Sequence, residues 1–156
     1  MAEAALKIEE VREPAFVRRF ELADLSRHGS WLMKRFTAKL PDVHEQRIGG
    51  YLRGLLFDNE HLFLYQDHAV ALFQVVYSPG IKPVKVVQER FVWAENRADK
   101  TQLEMAADFY THALAWAKRM GAERIIACED SDVSKPLIIA RIGRLFDTTI
   151  SHARVV

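Results

Sequence analysis

VKVVQERFVW at positions 84–93, KTQLEMAADFYTHALAWAKRMG at 100–121 and ERIIAC at 123–128 together decide the fold. The first stretch alternates as a strand from Val84 to Trp93. Strict alternation puts Val84, Val86, Gln88, Arg90 and Val92 on one face, and Lys85, Val87, Glu89, Phe91 and Trp93 on the other. The second stretch changes period. Leu103, Ala106, Ala107, Tyr110, Leu114 and Ala117 recur at three and four, which predicts a helix over Lys100 to Met120. Gly121 stands where a glycine ends a helix in the left-handed conformation. Glu123 to Cys128 is a short apolar run that suits a buried strand. A strand, a long amphipathic helix and a second strand imply a parallel pair joined by a right-handed crossover.

Working upstream, Leu62 to Gln66 and Ala69 to Tyr77 flank Asp67-His68 and predict a hairpin. Before it, Asp42 opens a helical run with Val43, Ile48, Tyr51, Leu52 and Leu55 on one face. Gly50 and Gly54, four apart, are expected to let that helix press closely on a neighbour. An earlier helix starts at Ser30 and carries Trp31, Leu32, Arg35 and Phe36. Pro14 is placed to begin a first helix with Phe16, Val17 and Phe20, ended by Ser26 to Gly29. Ala5 to Arg12 alternates as an opening strand. Downstream, Pro136 begins a last helix and Thr148 to Val155 closes the chain as a strand. The expected class is α/β (α+β): a mixed central sheet with helices on both faces, in the order β-α-α-β-β-β-α-β-α-β.

The chain has 156 residues and 49% hydrophobic side chains, enough for one core, and residues 1–156 read as a single domain. Twenty-two Lys and Arg against 21 Asp and Glu leave a formal charge of +1. That balance lacks the basic excess of a nucleic-acid binder. The single Cys128 excludes an internal disulfide framework and suits a reducing compartment. Neither a leader pattern nor an apolar run of about 18 residues is present, so a cytoplasmic protein without membrane attachment is expected.

Few chemical motifs stand out. Six histidines include no pair at i, i+4 and no zinc-type cluster, so no metal site is expected. His61 and His68 bracket the hairpin and could meet across it, although turn histidines are usually not ligands. No dinucleotide fingerprint, P-loop or nucleophile elbow occurs. Cys128 reads as a core residue, and Trp31, Trp93 and Trp116 as core or cleft lining. Cys128-Glu129-Asp130-Ser131-Asp132 places acids at the C-terminal end of a buried parallel strand, where ligands of α/β sheets gather. The same residues also suit the capping of a following helix.

The order of elements from Leu6 to Val155 resembles the GNAT superfamily of acyl-CoA-dependent N-acyltransferases. In that family the end of the central strand and the start of the long helix hold the CoA pyrophosphate, through a loop of the type Arg/Gln-x-x-Gly-x-Gly/Ala. Free N–H groups and the helix dipole supply the attraction. Arg97-Ala98-Asp99-Lys100-Thr101-Gln102 occupies that loop here. Arg97 matches, whereas Lys100 and Gln102 replace the two small residues, so the motif is degenerate. The resemblance implies acetyl-CoA or another acyl-CoA as substrate. It implies cofactor contacts from Phe91, Val92, Trp93, Arg97, Lys100, Thr101 and Gln102, and an affinity of roughly tens of micromolar or poorer. The family's frequent glutamate base lies at or near Val86, and the nearest acid is Glu89. In the last helix Arg141 stands at the usual tyrosine position, and Leu145-Phe146 replaces Gly-Phe.

Two readings follow. One is an enzyme that moves an acyl group from CoA to an amine acceptor, small molecule or protein, with Glu89 or Glu129 as base, directly or through water. The other is a non-catalytic GNAT-fold module that serves as a structural or partner-binding domain, since fold does not fix function. A homodimer is compatible with either.

Overall fold

The computed structural model of the chain describes residues 16–39, 42, 44–78, 84–95, 102–128 and 149–153. Its elements are β1 (Arg18–Arg19), α1 (Leu22–Lys39), α2 (Glu45–Leu55), β2 (His61–Gln66), β3 (Ala69–Ser78), β4 (Val84–Ala94), α3 (Gln102–Arg119), β5 (Arg124–Cys128) and β6 (Thr149–Ala153). The six strands form one sheet in chain order. β1 to β4 are antiparallel neighbours. β4 and β5 run parallel, as do β5 and β6. The strand–helix–strand unit of the central stretch is therefore present as expected, with α3 as its crossover. The expected opening strand and the last helix lie outside the described residues.

Two cores sandwich the sheet. One face packs Leu62, Leu64, Ala71, Phe73, Val75 and Val87 against the Ala- and Leu-rich stripe of α3. The other packs Phe63, Tyr65, Val70, Leu72, Phe91 and Trp93 against Leu32 of α1 and Ile48, Leu52 and Leu55 of α2. Alternation along β2 and β3 sends neighbouring side chains into opposite cores, so both faces need a helical cover. α3 ends in a Schellman arrangement: Gly121 sits at φ +73, Ala122 N–H donates to Ala117 O at 2.9 Å, and Gly121 N–H donates to Lys118 O at 3.1 Å.

The N-terminal part departs from the sequence reading. The expected helix from Pro14 is replaced by β1, whose Arg18 and Arg19 pair with Tyr65 and Leu64. Phe20 then stacks on Phe63 with ring centroids 4.3 Å apart. Ser26 to Gly29 do not end a helix but lie within α1. The true start is set by reciprocal capping: Asp24 N–H donates to Glu21 O, and Glu21 N–H donates to the Asp24 carboxylate at 2.7 Å. Strand pairing and aromatic stacking outweigh local helical spacing here.

Gly50 and Gly54 give a second correction. Neither provides a close helix approach, because a Cβ added at either would meet nothing within 4 Å. Both lie on the exposed side of α2, opposite Ile48, Leu52 and Leu55. Gly49 is the glycine that faces α1, with Met33 Cε 3.9 Å from an added Cβ.

Candidate active site

The central strand carries a discontinuity. β3 pairs Leu72 with Phe91 and Phe73 with Glu89, so Arg90 is the extra residue of a β-bulge. One inserted residue inverts the alternation of everything beyond it. Val87 and Glu89 face α3, and so does Val92, whereas Phe91 and Trp93 face α1 and α2. The strict alternation expected for Val84 to Trp93 is thus overturned at Arg90, and Glu89 and Phe91 lie on opposite faces.

Registered pairing of the two parallel strands also stops near this point. The registered pairs of β4 with β5 are Val87 with Ile125 and Gln88 with Ile126, while β4 continues to Ala94. Phe91, Val92 and Trp93 keep their partners on β3, namely Leu72, Ala71 and Val70. Among the described residues no registered pair joins those three to β5. The bulge at Arg90 falls two residues beyond the last registered pair, and a bulge bends the strand that carries it. A crevice between parallel strands at their carboxyl ends is where open α/β sheets take ligands.

Glu89 lies just before the bulge and is fully buried beneath α3. Tyr110, also fully buried, donates its phenolic O–H to Glu89 Oε1 at 2.8 Å. At the hairpin end of the same layer, the Gln66 side-chain amide donates to Met105 O at 3.0 Å. Sequence periodicity assigned Tyr110 to an apolar stripe and gave no hint of its polar role. The available signal was a lone hydroxyl in a stripe of Ala and Leu, facing a strand that carries a glutamate. On the opposite face Phe91 and Trp93 stack with centroids 4.0 Å apart, and Phe36 meets Trp93 edge-on at 5.0 Å. Arg35 reaches across from α1 to donate to Ala94 O at 3.1 Å, at the end of β4.

The structure thus brings Glu89, Phe91, Val92 and Trp93 together on one strand around one bulge. Gln102 is the first residue of α3, the helix that follows. Arg97, Lys100, Thr101 and Glu129, as well as the side chain of Gln102, lie outside the described residues. His61 and His68 do not meet: they stand at opposite ends of β2, and His61 pairs with Asp58 at 2.8 Å.

No protein-family model matches the chain, and no curated protein does. Solved structures do. An acetyltransferase from Vibrio fischeri superposes with a TM-score of 0.50 at 13% identity, covering 71% of this chain and 93% of that one. The apo aminoglycoside 6'-N-acetyltransferase of Acinetobacter haemolyticus superposes with a TM-score of 0.52 at 20% identity, covering 90% of this chain and 94% of that one. At such identities the likeness is one of fold, and the fold is GNAT-like.

Proposed function

We propose that this GNAT-like chain transfers an acyl group from an acyl-CoA to an amine. The observation that carries the reading is that registered β4–β5 pairing stops just before the Arg90 bulge, in a fold shared with two acetyltransferases. Acyl transfer from a thioester needs an uncharged amine, a group to accept its proton, and donors where the carbonyl oxygen gains charge. In this reading the backbone of Phe91 to Trp93 meets the pantetheine amides on the side of β4 away from β3. Arg97, Lys100, Thr101 and Gln102 hold the phosphates. Glu89, through a water, takes the proton of the incoming ammonium, with Glu129 as the alternative base. The amine nitrogen attacks the thioester carbon, a backbone N–H stabilises the oxyanion, and collapse expels the CoA thiolate, which leaves with a proton.

Titration of the chain with acetyl-CoA, followed by thermal melting and by amine-dependent thiol release, tests this reading. A saturable rise in melting temperature is expected, because a ligand that binds only the folded state stabilises it. No rise at concentrations far above tens of micromolar sinks the proposal. A second reading, a non-catalytic partner-binding module, is favoured by one observation: Glu89 is sealed from solvent and engaged by Tyr110. Turnover that survives Glu89→Gln unchanged removes Glu89 as base. Binding of acetyl-CoA without turnover of any amine points to the module.

A further inference from the structure

Three groups far apart in sequence converge at the carboxyl end of β4. His28 lies on α1, His68 in the turn between β2 and β3, and Glu95 directly after β4. One ligand atom from each lies within 4.8 Å of the other two. His68 Nδ1 is 3.3 Å from Glu95 Oε2. The His28 ring is fully buried and stands edge-on to His68 with centroids 5.6 Å apart.

The backbone around this cluster is held at some cost. Asp67 and His68 both have positive φ, 39° and 58°, in a two-residue turn that normally favours Asn and Gly. Histidine tolerates this left-handed region better than most residues, yet glycine would fit it with less strain, and such strain collects at functional positions. Glu95 N–H donates to His68 O at 2.8 Å, and His68 N–H to Tyr65 Oη at 3.3 Å, so the turn and the end of β4 are fixed relative to each other.

We propose that His28, His68 and Glu95 form a binding site for one divalent first-row transition metal, with zinc as the reference ion. Two imidazole nitrogens and one carboxylate make a borderline donor set that suits zinc and leaves a fourth position for water. Magnesium and calcium, which need six or more oxygens, do not fit it. A tetrahedron with bonds of about 2.0–2.1 Å has edges of roughly 3.3–3.4 Å, which the His68–Glu95 separation already matches. His28 closes the site by a movement on the order of an ångström.

The metal-free and metal-bound states differ in which ring nitrogen of His28 carries its proton. The Trp31 indole N–H donates to His28 Nδ1 at 2.9 Å, which places the proton of a neutral His28 ring on Nε2. Coordination through Nε2 requires that proton on Nδ1, so Trp31 has to release the ring. Metal binding is therefore reported by Trp31, which is partly exposed and free to turn its N–H to water. The bound ion ties α1 to the hairpin turn and to the residue that leads toward the segment expected to contact CoA phosphates.

The test is a zinc titration of the whole chain, first stripped with chelator, read by calorimetry, thermal melting and tryptophan emission. One zinc per chain is expected, with a higher melting temperature and a change in emission that Trp31→Phe abolishes. Magnesium is expected to do nothing. His68→Gly relieves the positive φ, so the metal-free variant should melt no lower than wild type. Its zinc affinity should fall by more than the roughly 10–100-fold that follows loss of an outer-shell partner. Glu95→Gln, close in shape, should show the same loss. Absence of saturable zinc binding by wild type overturns the proposal. So does equal affinity in His68→Gly, or a zinc complex that leaves Trp31 emission unchanged.

Discussion

Tyr110 reaches from α3 to donate its O–H to Glu89 of β4 at 2.8 Å, with both side chains sealed from solvent. This bond pins the crossover helix to the central strand one residue before the bulge. The strand is therefore anchored just past its last registered pair with β5, Gln88 with Ile126. A buried carboxyl group tolerates this position because a hydroxyl was brought to it, since unmatched polar groups in an interior are costly.

Removing that hydroxyl should be felt. Tyr110→Phe keeps the ring and its edge-on contact with Phe73, at 5.4 Å, while leaving Glu89 one donor short. A loss of about 1–3 kcal/mol is expected, the usual penalty for depriving a buried polar group of its partner. Urea denaturation measures it. A change below a few tenths of a kcal/mol would mean that the bond contributes little.

Asp24 sets the acid limb of stability. Burial pushes its carboxyl up, but hydrogen bonds from Arg18, at 2.7 and 2.8 Å, and from Glu21 N–H outweigh this and hold it below its ordinary value. A group depressed in the folded state contributes stability that is fully present above the unfolded value of about 3.9. That contribution disappears as pH falls through the lower folded value. Melting curves from pH 7 down to pH 3 should show the loss, and Asp24→Asn should flatten that part of the profile. An unaltered acid limb in the variant would refute the assignment.

The glycines divide by conformation. Gly50→Ala and Gly54→Ala enter open space on helical backbone, so each should stabilise the chain by up to about 1 kcal/mol. Gly121→Ala meets no atom either, yet φ is +73, so it should destabilise by about 1 kcal/mol. Thermal melts of the three variants give opposite signs if backbone conformation, and not packing, decides.

On the proposed function, Lys100 and Gln102 stand where the resembled family has small residues, and glycine at both should tighten acetyl-CoA binding. Each recovered charge-assisted hydrogen bond is worth about 1.5–3 kcal/mol. A solvent-screened ion pair is worth under about 1 kcal/mol. Calorimetry on wild type and the double variant decides between them. Weaker binding by the variant would make Lys100 a phosphate contact in its own right.

Much of this architecture was legible in residue order. The hairpin at Asp67-His68, the helix ending before Gly121 and the parallel pair of β4 and β5 all follow from local periodicity and turn chemistry. Such signals act between near neighbours, so a sequence displays them directly. The amino-terminal helix was misread because Arg18 to Phe20 are held by β2 and Phe63, partners that local spacing does not reveal.

The candidate site was legible only in part. Sequence alone determined that Glu89, Phe91, Val92 and Trp93 share a strand. Tertiary structure decided the rest. The register with β3 inserted Arg90 as a bulge and so divided Glu89 from Phe91 between two faces. Packing of α3 gave Glu89 its Tyr110, and closure of α1 over the hairpin gathered His28, His68 and Glu95. The physical reason is common to all three. Alternation and helical period specify which way a side chain leaves its own element, but its partner is chosen by sheet register and by how helices settle on the sheet. Those are set by the sum of many apolar contacts across the whole chain, and no short stretch of sequence contains that sum.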